Sequence, residues 1–342
     1  MSIVWFLIKR QVLSVFVLLG LSILIFTISR VLPGDPVRMA LGSRAPEWAV
    51  ENMRREMHLD EPLYKQYVFW LSGAVQGDLG TSLVTRRAVS TDVAEFLPAT
   101  LELALFAAVI MAVFGVLFGA IAGRFRNTWV DNVIRIFSYI GVVTPSFVFA
   151  ILFVLLFGYL LRIFPTIGRL SPWILRPPTV TGLMTIDALI SGNFAALGDA
   201  IHHMILPALS LSLGSLAQQA RLARSSISDN LGKDYILSAK GFGIPGRVVM
   251  FKYLLKPSLI PTVSIMGLDF AGIVANAFLV ELIFNWPGFS RYGINAMLNK
   301  DLNAIAAVVM ILGLIFIIVN IIVDLVVAWL DPRIRLGAER GK

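Results

Sequence analysis

Three polar side chains, two of them carboxylates, stand inside one apolar stretch, Leu259 to Phe284: Asp269, Asn276 and Glu281. An aspartate at the centre of a membrane-spanning helix costs about 2.5–3.5 kcal/mol on insertion scales, so it must face protein, water or a partner. Two readings stay open for Asp269. Either it lines a polar, water-accessible translocation path, with Asn276 and Glu281 as further path candidates, or it makes a structural hydrogen bond between helices. Asn320 and Asp324 lie in the last apolar stretch, and Asp324, near its inner edge, is expected to be structural. Glu102 opens another apolar stretch and reads as interfacial. His202 and His203 are adjacent, and neighbouring residues of a helix project differently, so they read as an interfacial pair rather than a metal chelate.

Familiar catalytic patterns are missing. The chain contains no cysteine, which removes thiol catalysis, disulfides and Cys-ligated metals. It has no G-x-x-x-x-G-K-[ST] phosphate loop, no dinucleotide fingerprint, no H-E-x-x-H and no G-x-S-x-G. A membrane-embedded hydrolase is disfavoured on that ground. If transport is powered by ATP, another chain must bind the nucleotide.

The elements that position these residues follow from composition. The chain is 57% hydrophobic and 15% charged, against about 25% charged in a soluble domain. It is therefore an integral, all-α membrane protein. Apolar windows run over 12–28, 103–122, 136–161, 203–218, 259–284 and 304–330. These give six spans, the fourth being the weakest, interrupted by Pro207 and several serines. Pro145 is expected to kink the third. No small-x-small cleavage pattern follows the first, so it reads as a retained span rather than a signal peptide. The net charge of +8 fits positive cytoplasmic loops better than nucleic-acid binding. Lys9 and Arg10, Arg124 and Arg126, the basic residues between Arg221 and Lys256, and the tail from Arg333 to Lys342 fall on one side of six spans. Both termini are then cytoplasmic.

Two segments exceed what a connector needs. Residues 30–97 contain a charged helix near Trp48–His58, an aromatic helix over Pro62–Leu71, and turns at Pro33-Gly34-Asp35-Pro36 and Gly77-Asp78-Leu79-Gly80. They form either a cap over the membrane helices or a docking platform for a soluble partner. A shorter outer loop, 162–202, carries a candidate interfacial element over Asp187–Asp199. On the positive side, Asp234 to Pro261 combines a short helix, a Gly-x-Pro-Gly break at Gly243–Gly246 and a basic run. It is compact enough to serve as a handle for a soluble motor.

Several fragments in order carry a resemblance. They are Pro33-Gly34-Asp35-Pro36, Leu59-Asp60-Glu61-Pro62-Leu63, Gln66-Tyr67, Gly77-Asp78-Leu79-Gly80-Thr81-Ser82 and Ile205-Leu206-Pro207-Ala208. Arg224-Ser225-Ser226, Asp234-Tyr235-Ile236, Glu281-Leu282-Ile283-Phe284, Trp286-Pro287-Gly288, Val323-Asp324-Leu325 and Asp331-Pro332-Arg333 complete the set. With these the chain resembles the inner-membrane permeases of bacterial dipeptide, oligopeptide and nickel ABC importers, closest to the dipeptide branch. The resemblance implies a type I ABC importer permease fold. Residues 1–30 would form the N-terminal tail and first span, 31–97 a periplasmic subdomain, and 98–342 a five-helix permease domain with a cytoplasmic coupling loop at 220–257. It implies a coupling helix over Asp234–Gly243, with Asp234, Tyr235, Ser238, Ala239 and Gly243 meeting the ATPase. Where the family pattern reads Glu-Ala-Ala-x-x-x-Gly, this chain has Leu237-Ser238-Ala239 and then Gly243, so the acidic residue is absent. The implied partners are a homologous second permease, two cytoplasmic ABC ATPases that bind ATP and Mg, a periplasmic substrate-binding protein and the lipid bilayer, with no nucleic acid. The implied function is uptake of short peptides across the inner membrane by alternating access. Nickel chelates, glutathione or another small solute, and an ion-coupled transporter using Asp269, are the alternatives.

Overall fold

The computed structural model describes residues 3–31, 36–42, 44–56 and 58–330. Of the Pro33-Gly34-Asp35-Pro36 turn only Pro36 is among them. The Asp331-Pro332-Arg333 fragment and the basic tail lie outside the described residues. In chain order the helices are α1 (Ile3–Val31), α2 (Pro36–Leu41), α3 (Glu47–Glu56), α4 (Leu63–Val75), α5 (Val89–Arg124), α6 (Trp129–Val143) and α7 (Ser146–Phe153). They continue as α8 (Met184–Ile190), α9 (Phe194–Leu231), α10 (Asp234–Gly241), α11 (Gly246–Val248), α12 (Lys256–Ile283), α13 (Phe289–Leu298) and α14 (Leu302–Leu330). Among the described residues five helical segments are long and apolar enough to cross a membrane, or six if the bent pair α6–α7 counts as one span.

The weakest apolar window becomes the centre of the bundle. Helix α9 packs against α5, α6, α7, α8 and α12. In its most apolar stretch 61% of residues are buried, against 22% in α14. A helix shielded by protein need not be as apolar as one facing lipid. Its serines are satisfied along the backbone: Ser210 donates to the Leu206 carbonyl (2.8 Å) and Ser212 to that of Leu209 (3.1 Å). Against α9 lies a groove on α5 made by Gly115, Gly119 and Gly123. A Cβ on these glycines would sit 2.8 Å from Gln219 Cβ, 2.5 Å from Ala223 Cβ and 2.9 Å from Ile227 Cβ, respectively. The missing side chains let the two backbones approach closely, as small-residue repeats do in membranes.

Pro145 does more than kink the third span. It pushes Thr144 out of helical geometry (ψ 122°), α6 stops at Val143, and α7 departs at 106°. Pro257 and Pro261, by contrast, lie within a continuous helical run from Gly246 to Ile283. A π-helical stretch, Val249–Leu255, joins α11 to α12 there, and its wider turn precedes Pro257. The fourth span also continues to Leu231. Of the coupling loop implied over 220–257, residues 220–231 are the end of α9 and 246–257 lie in the helical run that continues as α12, which leaves 232–245, with α10 inside it, between the two long helices.

At the opposite end, residues 36–97 form a small helical layer. The expected helices appear as α3 and α4. Tyr67 packs edge-on and Trp70 tilted against Phe26 of α1 (5.3 and 5.8 Å between ring centroids), and the hydroxyls of Tyr67 and Ser22 are 2.7 Å apart. The layer's exit is fastened to α14. Buried Asp301 accepts from Ser82 Oγ (2.6 Å), Leu83 N (2.7 Å) and Val84 N (3.2 Å), while its other oxygen caps α14 at Ala304 N (3.2 Å).

Candidate functional site

The α6–α7 break opens a cleft of about 440 Å³ between itself, α9 and α12. Polar groups enter it from three elements: Ser146 from the break, Ser215 and Gln218 from α9, and Asp269 and Asn276 from α12. Gly214 and Gly272 also line it, and the missing side chains leave room. The structure thus brings two of the three path candidates together. Asp269 accepts a hydrogen bond from Nε2 of Gln219, a fully buried amide behind it. Asn276 donates through Nδ2 to the carbonyl of Gly272 (2.8 Å). Asp269 thus makes a hydrogen bond between helices and also borders the cleft.

Glu281 stands elsewhere, which corrects its placement with the path. It is 0% exposed and accepts from Thr100 Oγ1 on α5 and from the N–H of Arg291 (2.8 Å) in the first turn of α13. Its carboxylate holds α13's N-terminal turn against the start of α5. Gly288 is required beside it, since a Cβ there would overlap the Glu281 carboxyl. Trp286 completes the junction by donating from Nε1 to the Ala99 carbonyl (3.0 Å). Glu102 is likewise buried rather than interfacial. It pairs with Arg169, equally buried, and accepts from the N–H and hydroxyl of Thr185 (both 2.6 Å). Arg169 in turn lies over the Trp286 ring, 5.7 Å from its centroid. His203 is also inside, with Nδ1 2.8 Å from the Asp199 carbonyl. The expected Asp187–Asp199 element divides into α8 and the first turn of α9. Burial pushes the Asp187 carboxyl up, but donors from Thr181 and Gly182 outweigh it and hold it below the ordinary carboxylate value.

The short helix α10 presents two faces. Ile236 and Ala239 are buried in a cluster with Ile227, Val249 and Leu254 of the same chain. Ala239 therefore anchors α10 to its own bundle and is not available for an outside contact. Asp234, Tyr235 and Ser238 are exposed, as are two residues outside the expected contact set, Leu237 at 55% and Phe242 at 86%. Gly243 has a backbone role. Its φ is +71°, and the Gly243 N–H donates to the Lys240 carbonyl and the Ile244 N–H to that of Ala239. This double bond pattern closes a helix with a left-handed residue, a position suited to glycine. Near this end Arg224 of α9 makes a forked pair with buried Asp131 of α6 (Nη2 to Oδ2, 2.7 Å). Gln218 and Gln219 were the signal in the sequence for the cleft: amides at the end of an apolar window need partners.

The comparisons agree with this architecture. A family model described as binding-protein-dependent transport system inner membrane component matches residues 115–336, and the corresponding N-terminal model matches residues 3–104. The chain is similar to the Probable D,D-dipeptide transport system permease protein of Escherichia coli K12, with 38% identity over 94% of this chain and 95% of the relative. It is 34% identical to the dipeptide transport system permease protein of Alkalihalophilus pseudofirmus, over 96% and 98% of the two chains. It is 32% identical to the glutathione transport system permease protein of Escherichia coli K12, again over 96% and 98%.

Proposed function

This chain belongs to the binding-protein-dependent transport system inner membrane component family, and from that premise we propose that it forms one half of a permease pair importing short peptides by alternating access. As a family member it is a multi-pass transport subunit of the inner membrane that works with an ATPase and a binding protein. Membership sets aside the ion-coupled alternative. The observation that carries the peptide reading is near full-length similarity to two permeases named for dipeptide transport. Glutathione is the second reading, supported by the relative named for it.

In this reading the second permease is a homologue facing the cleft. Two ATPases bind ATP and Mg, this chain has no catalytic site of its own, and both termini are cytoplasmic. The α10 end then faces the ATPases, and Tyr235, Leu237, Ser238 and Phe242 form the contact. ATP binding closes the ATPases and moves α10, the helices rock, and peptide passes from the periplasmic binding protein into the cleft. The layer formed by residues 36–97 is where that binding protein docks.

Reconstitution of the chain with its partner permease, ATPases and binding protein tests this. Wild type should show binding-protein-stimulated ATP hydrolysis coupled to dipeptide uptake. The paired change Leu237→Asp with Phe242→Ala should leave the protein inserted while releasing the ATPases or abolishing stimulation. Wild-type stimulation in that variant would exclude α10 as the coupling element.

A further inference from the structure

We propose that Asp269 is the docking point for the positively charged amino terminus of a peptide in transit, and that the neutral polar groups of the same cleft serve the peptide backbone. The inference rests on the peptide-importer reading above.

The charge balance of the bundle motivates it. The other acids buried near the bundle's ends have partners from their own chain. Asp131 pairs with Arg224, Glu102 with Arg169 and Asp92 with Arg87. Glu281 accepts a hydroxyl and a backbone N–H. Asp301 and Asp187 are likewise each held by several hydroxyl and backbone N–H donors, whereas Asp269 has a single neutral amide, on Oδ2. Among the described residues lining the cleft it is the sole ionisable group, and no lysine, arginine or histidine lines it. An amide N–H orients a carboxylate and does not neutralise it. In apolar surroundings a lone carboxylate is costly, and a cation that reaches it is stabilised in proportion.

The cleft restricts what that cation is. Its volume of about 440 Å³ lies within the roughly 300–1,000 Å³ of small-ligand sites. Its other polar groups are Ser146, Ser215, Gln218 and Asn276, hydroxyls and amides without charge. Such groups donate to and accept from peptide bonds whatever the side chains are. One ionic contact among neutral ones suits a ligand with a constant ammonium end and variable side chains. A single charged contact also leaves binding weak enough for release, which a path requires.

The test uses the complete transporter in proteoliposomes, with L-alanyl-L-alanine as substrate. Asp269→Asn keeps an acceptor oxygen for Gln219 and nearly the same volume, and it removes only the charge. Gln219→Leu removes the protein partner and keeps the charge. We expect Asp269→Asn to lower dipeptide uptake about tenfold per assembled complex, the scale of a lost charge-assisted hydrogen bond. Binding-protein-stimulated ATP hydrolysis should stay within about twofold, Asp269→Glu should recover part of the uptake, and Gln219→Leu, which keeps the charge and loses only its orienting amide, should lose clearly less uptake than Asp269→Asn. Equal defects in Asp269→Asn and Gln219→Leu would assign Asp269 to a structural bond and overturn the proposal. So would unchanged uptake in Asp269→Asn, or failure of that variant to assemble. A wild-type complex that takes up no peptide overturns the substrate reading itself, an outcome separate from the others.

Discussion

Helix α12 carries two carboxylates that look alike in the sequence and live in opposite surroundings. Glu281, at its end, is sealed among Thr100, Arg291 and Gly288, with nothing left exposed. Asp269, in its middle, is backed by one amide and borders an open cleft. The first belongs to a knot of buried polar groups that ties α5, α12 and α13 together. The second belongs to the region where the fold leaves space. A charge inside a membrane protein is thus not a functional signal by itself, and its meaning comes from whether the neighbours finish satisfying it.

The sharpest way to break this comparison is at the knot. Glu281→Leu leaves the Thr100 hydroxyl and the Arg291 N–H without their acceptor. We expect a loss on the order of 3 kcal/mol, combining unsatisfied buried donors with lost packing. It should read as a lowered melting temperature of the purified protein and reduced membrane abundance. Asp269→Asn in the same assay should stay within about 0.5 kcal/mol, and equal losses at both positions would erase the distinction.

Glycines give the next contrast. Gly119→Val drives a side chain into Ala223 and the Ala220 carbonyl and should cost about 1–3 kcal/mol by overpacking. Gly272→Ala, in the cleft, meets nothing within 4 Å, so its melting temperature should match wild type. A smaller effect is expected at Asp301→Ala, about 1–2 kcal/mol for a lost helix cap and its turn. Limited proteolysis should then cut near residues 82–88 faster than in wild type. The smallest concerns Gly243→Ala, about 1 kcal/mol for an L-residue in left-handed geometry. Hydrogen exchange should show faster opening confined to α10, with the α5–α9 core unchanged.

Much of the architecture was legible because lipid imposes length and apolarity on each span. Five of the six windows were clear, while the fourth was weak for a physical reason: α9 is covered by protein and so carries serines, amides and small residues. The spacing of Gly115, Gly119 and Gly123 was available as a close-packing repeat, and it names the face of α5 that meets α9. The ends of spans were less legible. Hydropathy fades where helices leave the bilayer, so α5 begins at Val89 rather than Leu103 and α9 runs on to Leu231. Of the site, Asp269 and Asn276 were readable as polar residues in an apolar run. Glu281 was not separable from them, because its partners come from Thr100 and Arg291, remote in sequence or across a turn. Ala239 and Gly243 matched a pattern, and their inward packing and backbone angle explain them without an outside contact.

The run from Gly246 to Ile283 is continuous helix, although a π-helical stretch and two prolines fall inside it. At about 1.5 Å per residue, its 38 residues make a strut of roughly 55 Å. Its foot is clamped to α10 through Val249 and Leu254, its middle holds Asp269, and its head holds Glu281. A tilt imposed at the foot reaches the cleft and the far junction as leverage to the extent that the π-helical stretch and the prolines do not absorb it. The 106° corner at Pro145 stands beside that lever and faces the same cleft.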